Sequence, residues 1–197
     1  MSRISHVPVE DWDPELRAIT RADEASPLEQ GLMRMMAHTP EIAKGLTAFA
    51  GALKIHRARP DKLVELVRLR IAFHNQCRSC MAIRYTDAVE DGATEDLVCE
   101  LAQPATSEAL SEAEKAAIRY ADLFATDHLS ITDETYDDLR RHFSEAEIVE
   151  LGMFVGLCVG FGRLGATWHM VEELPENFQS DKAGPLTPWG EDAVTMR

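Results

Sequence analysis

Apolar residues recur along most of this chain at intervals of three and four positions, which is the spacing of one face of an α-helix. The series Ile42, Leu46, Phe49 is one example, and the segment 118–125 is another. No segment alternates apolar and polar residues cleanly enough to predict a β-strand. The pattern therefore predicts an all-α fold.

Capping signals indicate where the helices begin, because small polar residues and proline suit the first turn of a helix. A small polar residue precedes proline at positions 13–14, 26–27 and 39–40, and serine and glutamate have capping-box spacing at 111–114 and 144–147. The predicted helices are 14–24, 28–38, 41–56, 61–75, 78–90, 95–102, 112–126, 133–142, 145–161 and 164–173. Residues 174–197 lack a periodic apolar stripe and are predicted to form an ordered arm without a helix.

The segment 63–66, LVEL, has a later echo in the segment 148–151, IVEL. Two explanations fit this match: two degenerate helical repeats, or chance similarity between amphipathic helices. At the same offset Arg84 aligns with His169. A pseudo-two-fold arrangement of repeats would bring His169 toward the cysteines described below, whereas chance similarity leaves it a partly buried helical histidine.

The charge balance restricts the classes of partner. The chain has 34 acidic and 20 basic residues, a formal net charge of −14, and such a surface repels phosphate backbones and anionic lipid headgroups. Neither nucleic acid nor a membrane is an expected partner, and the longest apolar run, 151–161, is shorter than the roughly 20 residues that span a bilayer. The N-terminal residues do not resemble a secretory signal, so the predicted location is cytoplasmic.

Cys77 and Cys80 form the one close pair among four cysteines. In a reducing compartment such a pair indicates redox chemistry or metal binding. The spacing puts both sulfurs on one helical face within disulfide range, and Asn75-Gln76 indicates a helix break that favours a thiolate at the next helix start. No second CxxC or histidine pair completes a zinc site, so redox chemistry is favoured and no metal is predicted.

The remaining cysteines, Cys99 and Cys158, stand alone in helical segments. Free cysteine behaves as a small apolar side chain. Both are therefore predicted to be core residues without chemistry.

Glu65 precedes the cysteines on the predicted helix 61–75, and by itself it reads as a surface charge paired with Arg68 or Arg70. The spacing of Glu65, Cys77 and Cys80 resembles that of the AhpD-like alkylhydroperoxidases, which are grouped with the carboxymuconolactone decarboxylases. The resemblance covers residues 39–92 well and extends loosely over 110–151. It implies a single AhpD-like helical bundle over 1–197, with a CxxC core at about 39–92, a second helical half at about 111–173 and a C-terminal arm at 174–197.

The resemblance also implies an activity, the reduction of a small hydroperoxide. Cys80 would attack the peroxide, Cys77 would resolve the sulfenic acid to a disulfide, and Glu65 would belong to the proton relay. No glycine-rich dinucleotide loop is present, so no cofactor is predicted, and the family expectation is a lipoyl-bearing or thioredoxin-like thiol partner. Two alternatives stay open: a redox-sensitive binding protein without turnover, and a lactone decarboxylase, which the CxxC pair argues against.

Arg84 stands where the family relay usually has a histidine, four residues after the second cysteine. Arginine does not pass protons near neutral pH, but its charge stabilises a nearby thiolate. The hypothesis is that Arg84 lies beside Cys80 and lowers its pKa, and that Arg84→His restores the relay and raises turnover. His74 is a further candidate for the site, the alternative being a histidine that merely ends the preceding helix.

Three glycines, Gly152, Gly156 and Gly160, recur at every fourth position of a predicted helix. Each costs about 1 kcal/mol relative to alanine in a helix interior, which indicates close approach of another element, predicted to be the Glu65 helix or its counterpart in another subunit. Together with an ordered arm that needs a docking surface, the glycines predict a homo-oligomer.

Overall fold

The structure is a computed structural model that describes residues 2–179 and 184–196, and these are mostly helical. The α-helices are α1 (Pro14–Ile19), α2 (Pro27–Gln30), α3 (Met33–Met36), α4 (Pro40–Ile55), α5 (Asp61–Asn75), α6 (Arg78–Ala82), α7 (Thr86–Glu90), α8 (Glu95–Cys99), α9 (Glu112–Thr126), α10 (Asp133–Arg140), α11 (Glu145–Trp168) and α12 (Glu176–Gln179). The strands are β1 (Ile83–Tyr85) and β2 (Val194–Met196). The all-α prediction is confirmed.

The main core lies where α5 packs against α9 and α11. Leu66, Ile118 and Leu151, one from each helix, are fully buried there. Helices α5 and α9 have the predicted bounds, and α9 and α11 begin with the predicted capping boxes. The predicted CxxC core and the predicted second half therefore share one core.

The predicted helix 78–90 is wrong in its middle. Helix α6 ends at Ala82, and the chain then forms β1 before α7 begins. Strand β1 pairs in parallel with β2, with Ile83 opposite Val194. A strand of three residues shows no alternation that periodicity can detect, and its partner lies far away in the chain, so local sequence could not reveal it.

Three other predicted boundaries are also wrong. Gly31, with φ of 48°, separates α2 from α3 inside the predicted helix 28–38. The predicted helices 145–161 and 164–173 are one helix, α11, which ends at Trp168 with His169 in the left-handed region. Part of the predicted arm is the short helix α12, while residues 180–183 and 197 of that arm lie outside the described residues.

The C-terminal segment 184–196 docks on its own chain. Gln76 exchanges hydrogen bonds of 3.1 and 2.8 Å with the backbone of Leu186, and the ring of Trp189 lies 4.8 Å from that of Phe73. The arm therefore finds its docking surface within the protomer. It no longer supports the prediction of an oligomer.

Helix α11 is, among the described residues, the one helix long and apolar enough to cross a membrane by length and composition. Core helices of globular proteins meet the same criterion. Here α11 packs against α5 and α9.

Candidate active site

Cys77 and Cys80 are joined by a disulfide at the junction of α5 and α6. Gln76, with φ of 51°, ends α5 in the left-handed conformation, and Cys77 is the N-cap of α6. The Cα atoms are 5.2 Å apart, within the predicted range. The predicted helix break before Cys77 is confirmed, and so is the prediction that the two sulfurs lie within disulfide range. No group of three or more histidine, cysteine or acidic residues in the described parts of the chain is arranged to hold a metal ion.

The two cysteines differ in accessibility. Cys77 is fully buried, with its sulfur 3.5 Å from the Ser79 hydroxyl oxygen, and Gly165 of α11 packs beside it, where an added Cβ would be 3.5 Å from the sulfur. Cys80 is partly exposed and lines a cavity. Cys80 is therefore the member of the pair that a small molecule can reach.

The cavity has a volume of about 620 Å³ and lies between α2–α4 on one side and α5, α6 and α11 on the other. Its walls are mainly apolar, with contributions from Leu28, Leu32, Met33, Met36, Leu46, Ala50, Ala72, Ile83, Leu157, Phe161, Met170 and Met196. This size and composition are typical of a site for a small organic molecule. The cavity could not be predicted from the sequence, because its lining comes from segments that are far apart in the chain.

Glu65 is buried, with 2% of its surface exposed. Its two carboxylate oxygens accept hydrogen bonds of 2.7 Å from Nε and Nη2 of Arg68. Arg68 Nη1 then donates to the carbonyl oxygen of Cys80 at 2.6 Å, and Nη2 donates to that of Ile83 at 2.7 Å. The alternative pairing of Glu65 with Arg68 is confirmed, but in a buried setting and not on the surface.

Arg68 also lines the cavity, where its guanidinium lies over the Tyr85 ring, 5.0 Å from the centroid. Burial disfavours the charged guanidinium, but the Glu65 carboxylate outweighs this and raises the pKa of Arg68. Arg68 is therefore a permanent cation at the cavity wall beside Cys80. From the sequence, Arg68 was recognisable only as a possible partner of Glu65.

Cys158 lines the same cavity from α11. Burial raises the pKa of its thiol to about 12, although Arg68 acts in the opposite direction. Cys158 therefore stays protonated near neutral pH. The prediction of a core residue overlooked its position on the cavity wall.

Arg84 binds other groups of the chain and makes no hydrogen bond to Cys80 among the described residues. It lies on β1 and not on a continuation of the Cys80 helix. Its Nε and Nη2 bond Glu95 at 2.8 and 3.1 Å, and its other N–H groups bond the carbonyl oxygens of Met81, Ile83 and Pro188. All five N–H groups of this buried side chain thus donate hydrogen bonds within the chain. Arg84 therefore has a structural role at the position where the family usually has a histidine.

His74 lies on the α5–α9 interface, away from the cavity lining. Its Nε2 is 2.6 Å from Oδ1 of Asp122, which Arg70 also binds at 2.6 Å. Burial would raise the pKa of Asp122, but hydrogen bonds from His74 and Arg70 lower it overall. The structure thus pairs His74 with a partly buried carboxylate of α9.

His169 lies close to Ser79, the residue before Cys80. It lines a small cavity of about 20 Å³ together with Ser79 and Gly165. Helix α11 continues where α5 breaks, so the two segments compared as repeats differ at this point.

The glycine prediction is correct for one position and wrong about the neighbouring helix within the chain. A Cβ on Gly160 would meet nothing within 4 Å, and one on Gly156 would be 4.0 Å from Phe124. A Cβ on Gly152 would be 3.2 Å from the Tyr120 hydroxyl, a close approach to α9 and not to α5. The tightest approaches lie further along α11. A Cβ on Gly162 would be 2.4 Å from Nδ2 of Asn75, and one on Gly165 would be 2.9 Å from Leu32 Cδ1.

These features define a helical protein with a CxxC disulfide in which one cysteine, Cys80, lines an apolar cavity. Residues 40–123 match the carboxymuconolactone decarboxylase family. Two uncharacterized proteins of Mycobacterium tuberculosis, from strains CDC 1551 and H37Rv, are each 37% identical over 105 residues. The match covers 52% of this chain but 36% of each relative, so the chain spans well under half the length of these relatives.

Solved structures share the fold across most of the chain. An AhpD-core, peroxidase-related protein from Ralstonia eutropha JMP134 superposes with a TM-score of 0.74 at 14% identity, covering 90% of this chain and 94% of that one. The debrominase Bmp8 gives a TM-score of 0.67 at 19% identity, covering 85% and 90%. A cysteine-to-alanine variant of Bmp8 in complex with 2,3,4-tribromopyrrole gives 0.66 at 18%, with the same coverage. The chain therefore has the AhpD-like fold.

Proposed function

We propose that this protein reduces organic hydroperoxides with the Cys77–Cys80 pair. The observation that carries the proposal is the asymmetry of the pair: Cys80 lines an apolar cavity of about 620 Å³, and Cys77 is fully buried behind it. The apolar part of a hydroperoxide would occupy the cavity and place its peroxide group at Cys80. The cytoplasmic location predicted from the sequence suits a protein that cycles through a reduced dithiol.

The reaction begins from the reduced pair. The Cys80 thiolate attacks the terminal peroxide oxygen, the O–O bond breaks, and the products are a Cys80 sulfenic acid and an alkoxide that takes up a proton to become an alcohol. The Cys77 thiol then attacks the Cys80 sulfur, which forms the disulfide and releases water. An external dithiol protein, lipoyl-bearing or thioredoxin-like, returns the two electrons by thiol–disulfide exchange at the accessible Cys80 sulfur.

The test is a peroxidase assay with tert-butyl hydroperoxide and hydrogen peroxide, using dithiothreitol, dihydrolipoamide or reduced thioredoxin as donor. Cys80→Ser is expected to abolish turnover. Cys77→Ser is expected to stop after one turnover with a sulfenic acid that dimedone traps on Cys80. Cys99→Ser, a change at an exposed free cysteine, is the matched control and should leave turnover unchanged.

Two other outcomes point to other functions. A reduced protein that consumes no hydroperoxide but binds an apolar ligand differently in its two redox states is the redox-sensitive binding protein. Bromide release from 2,3,4-tribromopyrrole, with one disulfide formed per bromide, would instead favour reductive debromination. The second outcome is worth testing because the thiol-bearing cavity is apolar and the chain shares its fold with Bmp8.

A further inference from the structure

Cleavage of a peroxide bond places negative charge on the leaving oxygen, and a hydrogen-bond donor aimed at that oxygen lowers the barrier. Arg84 cannot supply this donor, because acceptors in the chain already occupy all five of its N–H groups. The leaving oxygen of a substrate in the cavity therefore needs another donor close to Cys80.

Arg68 has one N–H group available as this donor. A guanidinium carries five N–H groups, and four of those on Arg68 bind Glu65 and the carbonyl oxygens of Cys80 and Ile83. The second N–H on Nη1 has no hydrogen-bond partner among residues 2–179 and 184–196. It belongs to a side chain that lines the cavity and is 12% exposed, so its unused donor lies in a largely water-excluded setting.

Glu65 fixes the direction of this donor. The two parallel hydrogen bonds of a carboxylate–guanidinium pair set the plane of the guanidinium, and both bonds here are 2.7 Å. Nη1, held 2.6 Å from the Cys80 carbonyl oxygen, is thereby kept beside the reacting cysteine.

We infer that Arg68 is a catalytic residue, whose free Nη1–H donates to the leaving oxygen as the Cys80 thiolate opens the peroxide bond. The inference rests on the proposed function. In this step the S–O bond forms, the O–O bond breaks with its electron pair going to the leaving oxygen, and the alkoxide takes its proton from water after it departs. Glu65 is then a positioning residue that acts through Arg68, and not a member of a proton relay.

The test compares two oxidants that differ in their leaving groups. The leaving group of tert-butyl hydroperoxide is the strongly basic tert-butoxide, so its departure depends on a hydrogen-bond donor that stabilises the negative charge. The leaving group of peracetic acid is the weakly basic acetate, which departs readily without such a donor. Single-turnover rates are measured on the pre-reduced protein by stopped flow, so no reductant enters. The ratio of the two rates cancels both the folded fraction and the thiolate fraction of Cys80.

Arg68→Gln is expected to lower the tert-butyl hydroperoxide rate by roughly 100-fold, the usual effect of removing one oxyanion donor, and the peracetic acid rate by less than about 10-fold. Arg68→Lys keeps the positive charge but loses the planar guanidinium with its paired N–H donors, and it should shift the ratio in the same direction. This second variant keeps the test valid if Arg68→Gln does not fold. Glu65→Gln should shift it less. Arg70→Gln, on the same helix but bound to Asp122, is the control and should leave the ratio unchanged.

Equal losses on both oxidants in the Arg68 variants would overturn the inference and leave Arg68 a structural residue. A parent protein that reduces neither oxidant would overturn the proposed function itself, and the inference with it. The two failures are therefore distinguishable.

Discussion

Arg84 shows how the surroundings of a residue decide its role. It is 1% exposed and binds Glu95 and the carbonyl oxygen of Pro188 in the C-terminal segment. Arg84→His leaves most of these acceptors unpaired, so we expect it to lower the free energy of unfolding by about 2–4 kcal/mol and not to raise turnover. Urea denaturation followed by circular dichroism measures the stability, and the peroxidase assay measures the rate. A stable variant with faster turnover would restore the relay hypothesis.

At the scale of elements, α11 carries glycines that serve different purposes. Gly162→Ala would push a methyl group to 2.4 Å from Asn75 Nδ2, which donates to the carbonyl oxygen of Cys158 at 2.9 Å. We expect this change to destabilise the protein by about 1–3 kcal/mol, the usual range for overpacking. Gly160→Ala meets open space and is expected to be neutral or to stabilise by up to about 1 kcal/mol.

Thermal unfolding of Gly162→Ala and Gly160→Ala, measured side by side, tests this expected difference in stability. Equal melting temperatures would show that α11 and α5 separate easily enough to admit a methyl group. The paired design matters because both substitutions raise helix propensity equally, so only the packing differs.

At the scale of the whole molecule, α4 and α11 leave large apolar side chains exposed. Ile42 and Ile55 on α4 are 72% and 77% exposed, and Val149 and Met153 on α11 are 60% and 48% exposed. Val149 and Met153 are four residues apart and therefore lie on one face of α11, and exposed apolar surface of this kind marks interaction sites. The prediction of a homo-oligomer therefore now rests on these faces and no longer on the arm or the glycines.

Light scattering coupled to gel filtration should give a mass above that of the 22.0 kDa protomer. Replacing both Val149 and Met153 by lysine should shift the protein toward the monomer, because a buried interface does not tolerate unpaired charges. Leu129→Lys, at an exposed position on a separate turn, is the control. A parent protein that elutes as a monomer would refute the prediction.

The sequence alone determined the elements whose signals are local. Three-four periodicity located α5 and α9 at their observed bounds, capping boxes located the starts of α9 and α11, and the spacing of Cys77 and Cys80 predicted a disulfide pair at a helix start. These signals succeed because a helix satisfies its backbone hydrogen bonds within a few residues, so neighbouring positions carry the information.

Tertiary structure alone decided the chemistry around the pair. Arg68 and Arg84 are both arginines near cysteines, and nothing in the spacing shows that Arg84 is fully hydrogen-bonded while Arg68 keeps one free donor. The cavity and the β1–β2 pairing join segments far apart in the chain. Such features depend on long-range packing and on which polar groups are left over after it, and a linear pattern of residue types does not contain that information.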